Sequence, residues 1–126
     1  MNREIKSESK AAVKKYTDLT YLKSLSKGDD GFVKQMITIF INQTPAAIEQ
    51  LEKSLISKDF LTLNAVAHKI KPSFSFVGIN SLQAKLEELE KNALQQKDIN
   101  SINILINEIK EVALIAVKEL QSENLK

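Results

Sequence analysis

Apolar residues recur at three- and four-residue spacings along most of the chain, which predicts amphipathic helices. The longest pattern follows Asp29 and Asp30, either of which is a candidate N-cap, and predicts a helix over about 30–57. Pro45 lacks the amide that a helix interior needs, yet the pattern keeps its phase across it, so one kinked helix is expected. The apolar positions of this helix are Val33, Met36, Ile37, Phe40, Ile41, Ala47, Ile48, Leu51 and Leu55.

A short helix and a longer one flank this pattern. The short helix is expected to begin at the candidate cap Asp18 and to end before Gly28, where a glycine suits a C-terminal cap. The longer helix, over about 60–77, follows the candidate cap Asp59 and ends at Gly78. The apolar positions of the short helix are Leu19, Leu22 and Leu25.

Two more helices are predicted in the last third of the chain. Asn80 and Gln83 have the spacing of a capping box and introduce a helix of about 81–95. Asp98 is the candidate cap of the last helix, and the residues from Gln121 to the end are expected to fray. The apolar positions are Leu82, Leu86, Leu89 and Ala93, then Ile102, Leu105, Ile106, Ile109, Val112, Ala113, Ala116 and Leu120.

Short loops between long helices predict the fold class. Helices joined in this way are usually antiparallel neighbours, so we expect an all-α protein, an antiparallel up-down four-helix bundle with a short extra N-terminal helix. The predicted organisation is a flexible N-terminal arm over 1–16, the bundle domain over 17–122 and a frayed C-terminus over 123–126.

Composition narrows the classes of function. The 126 residues contain 43% hydrophobic and 27% charged residues with only three Gly and two Pro, which fits one soluble helical domain. No cysteine is present, which excludes disulfides and thiolate chemistry, and one histidine makes a structural zinc site unexpected. A net charge of +2 does not favour nucleic acid. We expect a cytoplasmic monomer with no signal peptide, no membrane span and no cofactor of its own.

The single histidine, His68, is the candidate reactive group. A helix turns about 100° per residue, so Leu63, Val66, Ile70, Phe74 and Val77 fall on the side opposite to His68 and form the core face. The side of His68 itself also carries Asn64, Lys71, Pro72 and Ser75.

This combination suits a phosphoryl acceptor. A neutral imidazole is a nucleophile, and a lysine one turn away favours the neutral ring and stabilises phosphoryl oxygens. A hydrolase would need a base, an orienting carboxylate and an oxyanion site in a pocket, and the sequence identifies no such set. A histidine exposed to solvent without any chemical role is the alternative.

The segment His68-Lys69-Ile70-Lys71-Pro72-Ser73-Phe74-Ser75-Phe76-Val77-Gly78 resembles the signature of histidine-containing phosphotransfer (HPt) domains. In that signature an aliphatic residue and a lysine follow the histidine, then small residues, and a glycine closes it. The resemblance covers about residues 17–120. Its upstream matches are Asp18, Leu19, Leu22, Gly28, Asp29, Phe32, Val33, Phe40, Pro45, Leu51 and Asp59.

The resemblance implies a four-helix bundle and reversible phosphorylation of His68 on Nε2. The phosphoryl group would come from the aspartyl phosphate of a receiver domain, in a hybrid histidine kinase or a response regulator, and leave to another receiver. Lys71 would stabilise the phosphohistidine, and Gly78 would close the helix. Mg²⁺ would belong to the receiver, and the protein would be a phosphocarrier without kinase activity of its own.

The sequence departs from the family pattern at two positions near His68. Pro72 stands where the family often has a glycine, and it leaves the His68 carbonyl without its usual helical donor. Phe74 replaces a small residue, but its direction places it in the core.

Contacts around the histidine remain open between two interpretations. Ser75 and Asn64 are candidates for a phosphate or docking contact, with solvated surface positions as the alternative. An apolar docking rim is a further hypothesis, although its candidate residues could equally be core or scattered surface residues. The rim candidates are Phe32, Val33, Ile39 and Leu61.

Two other functions compete with this interpretation. The phosphoacceptor domain of a sensor histidine kinase normally has an acidic residue directly after the histidine, whereas Lys69 stands here, and no glycine-rich nucleotide loop is present. A helical adaptor bundle in which His68 has no chemical role is the second alternative.

Overall fold

A computed structural model describes residues 15–124, and within this range the chain is helical with no strand. Five α-helices and one 3₁₀ turn follow one another within the described range. They are α1 (Thr20–Ser26), α2 (Asp30–Ile56), α3 (Phe60–Phe76), the 3₁₀ turn Asn80–Leu82, α4 (Gln83–Leu94) and α5 (Ile99–Asn124).

The predicted helices are confirmed, with corrections to where two of them begin. The capping box at Asn80 and Gln83 is wrong, because Asn80 lies inside the 3₁₀ turn and no side chain caps either that turn or α4. The last helix reaches Asn124, and fraying from Gln121 stays a prediction. Helix α2 continues through Pro45, as the phase of its apolar residues predicted. Residues 1–14 of the predicted arm and residues 125–126 lie outside the described residues.

Aspartate side chains cap α2 and α3 and lie next to the start of α1. The Asp29 carboxylate accepts a hydrogen bond from the Phe32 amide at 3.1 Å and caps α2. Asp59 caps α3 by accepting from the Thr62 amide at 3.1 Å. Asp18 was predicted as the N-cap of α1, but Leu19 occupies that position. Asp18 lies one residue before the cap, and its carboxylate accepts from the Thr20 amide at 2.9 Å.

Helix α3 packs between two other helices, α2 and α4. Helix α5 also contacts both α2 and α4, and α1 packs on α2. Phe74 is fully buried, and its ring centroid lies 5.6 Å from that of Phe40 in α2.

Leu25 is 43% exposed, so its predicted place on the apolar face of α1 is wrong; of the α1 residues, Leu22 is the one that is fully buried. Of the described helices, none is both long and apolar enough to cross a membrane.

The end of α3 is closed by the segment that precedes α1. The Asp18 amide donates to the Val77 carbonyl at 2.9 Å. Gly78 has φ +79°, and a Cβ built there would overlap the backbone of Asp18. The Glu119 carboxylate of α5 accepts from the Thr17 amide at 3.0 Å and from the Thr17 hydroxyl at 2.8 Å. Gly78 is therefore required both for its backbone conformation and for the approach of a second chain segment.

Substitution of Gly78 tests this close approach. Gly78→Ala combines a left-handed backbone with a steric overlap, so we expect the free energy of unfolding to fall by about 2–4 kcal/mol in urea denaturation. Gly28 is the matched control, because it has φ +90° and a Cβ built there would meet no atom within 4 Å. Gly28→Ala should cost only about 1 kcal/mol. Equal losses in the two variants would contradict the steric role of Asp18.

Candidate functional site

Helix α3 presents His68 on its outer side. The imidazole is 73% exposed, whereas Leu63 and Phe74 of the same helix are fully buried. The orientation predicted from the helical repeat is therefore confirmed. An imidazole in this position is accessible to a macromolecular partner, and its helix is held by the core on the opposite side.

Glu90 of α4 contacts the inner nitrogen of this ring. Its Oε1 lies 2.9 Å from Nδ1 of His68, and the Glu90 side chain is only 17% exposed. An ionised carboxylate can only accept hydrogen bonds, so the contact requires the proton on Nδ1. In the neutral ring the lone pair is then on Nε2, the nitrogen available for attack on an electrophile.

Lys71 shares the same carboxylate. Its Nζ lies 2.8 Å from Glu90 Oε2 and 3.9 Å from Glu87 Oε2. Oε2 is buried, and its contact with the Lys71 ammonium is an ion pair. One carboxylate thus joins His68 and Lys71 of α3 to α4.

The charges of this cluster stabilise one another. The contact with Glu90 raises the pKa of Lys71, although burial opposes it. Burial raises the pKa of the Glu90 carboxyl, but the contacts with Lys71 and His68 outweigh this effect and hold that pKa below its ordinary value. The carboxylate is therefore ionised at neutral pH despite its partial burial.

Two side-chain amides connect α3 and α4 around this cluster. Asn64 Nδ2 donates to the Glu90 carbonyl at 2.9 Å, and Gln83 Nε2 donates to the Lys71 carbonyl at 3.2 Å. A later residue of α3 contacts an earlier residue of α4, so the two helices run antiparallel. Asn64, a candidate phosphate or docking contact in the sequence, uses its amide in this connection.

The remaining candidate residues lie further along α3. Pro72 is exposed and the helix continues through it to Phe76. Ser75 is half-buried, two turns beyond His68, and lines a surface hollow with Tyr21 and Gly78. The structure therefore gathers Asn64, His68 and Lys71 around Glu90 and leaves Ser75 outside this group.

The predicted docking rim is only partly on the surface. Val33 is buried in the core, and its place in a rim is wrong. Phe32 is half-buried and packs against the core, whereas Ile39 and Leu61 are 38% and 76% exposed. Leu61 lies two turns before His68 on the same side of α3, since seven residues complete almost two turns.

Sequence reasoning missed Glu90, the residue that organises the cluster. Helix α4 contains three glutamates, Glu87, Glu88 and Glu90, and all three suit a solvated helix surface. The available signal was the position of Glu90 directly after the buried Leu89, at the edge of the apolar face. That signal places Glu90 near a neighbouring helix but does not identify the neighbour.

The site is thus an exposed imidazole on an all-helical scaffold, contacted on Nδ1 by a largely buried carboxylate. Comparison with protein families gives a match for this chain. The Hpt domain model matches residues 35–118, which is more than half of the 126-residue chain. The chain belongs to the Hpt domain family.

A curated relative extends the comparison. The chain is 23% identical over 87 residues to the Phosphorelay intermediate protein YPD1 of Candida albicans (strain SC5314 / ATCC MYA-2876). The similarity covers 69% of this chain and 46% of that protein, so the chain spans about half the length of the relative. No solved structure matches the chain.

The lowered pKa of Glu90 predicts a pH-dependent contribution to stability. A carboxyl with a lowered folded-state pKa stabilises the fold above its ordinary value, 4.5 here, and this stabilisation is lost as the pH falls through the folded-state pKa. We expect the difference in unfolding free energy between the wild type and Glu90→Gln to be constant near neutrality and to shrink in acid.

Urea denaturation between neutral and acidic pH measures this difference. The same comparison in the His68→Gln background removes the contribution of the ring, and there the loss in acid should persist through Lys71. A difference that stays constant down to pH values well below 4.5 would contradict an ionised, cation-paired Glu90.

Proposed function

We propose that the protein is a phosphorelay intermediate that carries a phosphoryl group on Nε2 of His68 between the aspartates of two receiver domains. The observation that carries the proposal is the 2.9 Å contact between His68 Nδ1 and Glu90, which leaves Nε2 as the free, solvent-facing nitrogen. Membership of the Hpt family and the phosphorelay relative support the same role.

The transfer step follows from the ring orientation. The Nε2 lone pair attacks the phosphorus of an aspartyl phosphate, an N–P bond forms, and the bond between phosphorus and the aspartate oxygen breaks. The aspartate leaves as a carboxylate, and the phosphorylated ring carries a positive charge with its proton still on Nδ1. Glu90 accepts from this N–H, and such a charge-assisted hydrogen bond is worth about 1.5–3 kcal/mol. The reverse step delivers the phosphoryl group to the second receiver.

Lys71 supplies positive charge without leaving Glu90. An ammonium has three N–H donors, so one can remain near the Glu90 carboxylate while another points to a phosphoryl oxygen. Mg²⁺ would belong to the receiver and would there neutralise further charge on the transferring group, because a small helical scaffold contributes mainly a positioned nucleophile.

The finer architecture also belongs to this proposal. We propose an antiparallel up-down arrangement of α2, α3, α4 and α5, with α1 as the short additional helix. Each of these helices contacts the next one in the chain, and α5 also contacts α2, which supports this arrangement. The short connections between the helices support it as well. We expect the protein to act as a cytoplasmic monomer, as a phosphocarrier without kinase activity, and to receive its partners on the side of His68.

Phosphotransfer to His68 is tested with a receiver domain charged with acetyl phosphate. We expect the wild-type protein to acquire an acid-labile, alkali-stable phosphoryl group and the variant His68→Gln to acquire none, because His68 is the chain's one histidine. Incubation with ATP alone should label neither protein. Labelling of His68→Gln, or failure with every cognate receiver, would refute the relay, and labelling by ATP alone would indicate kinase chemistry.

The lifetime of the phosphohistidine tests Lys71. Lys71→Ala should leave the bundle folded, since Glu90 keeps its contact with His68, but should shorten the phosphohistidine half-life about tenfold through the loss of one charged contact. Lys69→Ala is the matched control, because Lys69 is exposed, follows His68 directly and has no ion pair among the described residues. An unchanged half-life in Lys71→Ala, or an equal loss in Lys69→Ala, removes Lys71 from the mechanism.

A further inference from the structure

We infer that Asn64 is a positioning residue, which holds the carboxylate of Glu90 on Nδ1 of His68 and thereby keeps the lone pair on Nε2. The inference rests on the proposed function for its kinetic consequence, but its structural consequence is independent of phosphate. Asn64 lies one turn before His68 on the same side of α3, and its amide is half-buried against α4.

The contact is made to the residue that orients the ring. Asn64 Nδ2 donates to the main-chain carbonyl of Glu90, and the side chain of the same Glu90 receives His68 Nδ1, both at 2.9 Å. The two contacts form a closed path through α3 and α4, from Asn64 to Glu90 to His68 and back along one helical turn. A displacement of α4 along α3 must therefore stretch both contacts together.

Apolar packing alone does not fix this alignment as sharply. Leu86 and Leu89 of α4 are fully buried, but hydrophobic burial is non-directional and depends on area. A hydrogen bond weakens steeply when its distance or angle changes by a few tenths of an ångström or tens of degrees. Besides the contacts that the Glu90 carboxylate makes with His68 and Lys71, the directional restraints between these helices are the amide of Asn64 and, beyond His68, the amide of Gln83 on the Lys71 carbonyl at 3.2 Å.

Loss of the Asn64 amide should affect the site more than the fold. Glu90 lies inside α4, so its carbonyl already accepts the main-chain hydrogen bond of the helix, and Asn64 is a second donor. Removal of the Asn64 amide therefore leaves no buried carbonyl without a hydrogen-bond partner. Such a loss destabilises a protein less than one that leaves a buried polar group unpaired. We expect a small change in the free energy of unfolding and a clear change in the tautomer population of His68.

The test compares Asn64→Leu, which is close in size but has no donor, with the wild-type protein. Nitrogen-15 NMR of the His68 ring reports which nitrogen carries the proton, and we expect the Nδ1–H form to dominate in the wild type and to lose population in Asn64→Leu. Phosphotransfer from a charged receiver should slow about fivefold, the equivalent of one neutral hydrogen bond. Glu90→Gln, in which the carboxylate is replaced, should also reduce the Nδ1–H population.

Two controls separate positioning from general destabilisation. Lys110→Met removes another cross-helix contact, the 2.8 Å ion pair with Glu52 between α5 and α2, and should leave the His68 tautomer unchanged. In the Glu90→Gln background, Asn64→Leu should add no further change to the tautomer or rate, since Asn64 acts through Glu90.

The outcomes distinguish this inference from the proposed function. A wild-type tautomer population in Asn64→Leu, additive effects in the double variant, or an equal shift in Lys110→Met would overturn the role of Asn64 while leaving phosphorylation of His68 intact. Failure of the wild type to accept phosphate would refute the relay, yet the tautomer measurement would still decide whether Asn64 positions Glu90.

Discussion

The buried carboxylate of Glu90 is the constraint on which the arrangement of α3 and α4 depends. A carboxylate removed from water is costly unless cations and hydrogen-bond donors compensate it. Here both compensating groups, Lys71 and the ring of His68, come from the neighbouring helix. The two helices must therefore keep one alignment, and in that alignment the outer nitrogen of His68 faces the solvent. The same interaction that compensates a largely buried charge also fixes the orientation of the His68 ring.

The helical periodicity of the sequence was enough to predict the helices and the direction of the key side chains. Phe74 turns inward and His68 outward because a single helix determines both directions. The periodicity within one helix does not show which residues of another helix it contacts. Glu90 belongs to a different helix from His68, and its place at the edge of the apolar face of α4 does not identify the helix that it contacts.

The other errors have similar local causes. Val33 belongs to the apolar pattern of α2 and was also a rim candidate, and its burial decides for the core. Asn80 has the residue type of a helix cap, but the chain first makes a 3₁₀ turn, so the cap position moves to Leu82. Propensity identifies where an element begins only to within a turn, because several backbone conformations satisfy the same amides.

Pro72 divides α3 into two parts of unequal local stability. Without an amide at Pro72, the turn that ends at Phe76 has one main-chain hydrogen bond fewer to the turn of His68. Contacts from outside the helix hold this last turn: the amides of Asp18 and Ile79 donate to the carbonyls of Val77 and Phe74, both at 2.9 Å. Local opening of a helix end depends on such contacts, so we expect the amide exchange of this turn with solvent to depend on the segment that precedes α1.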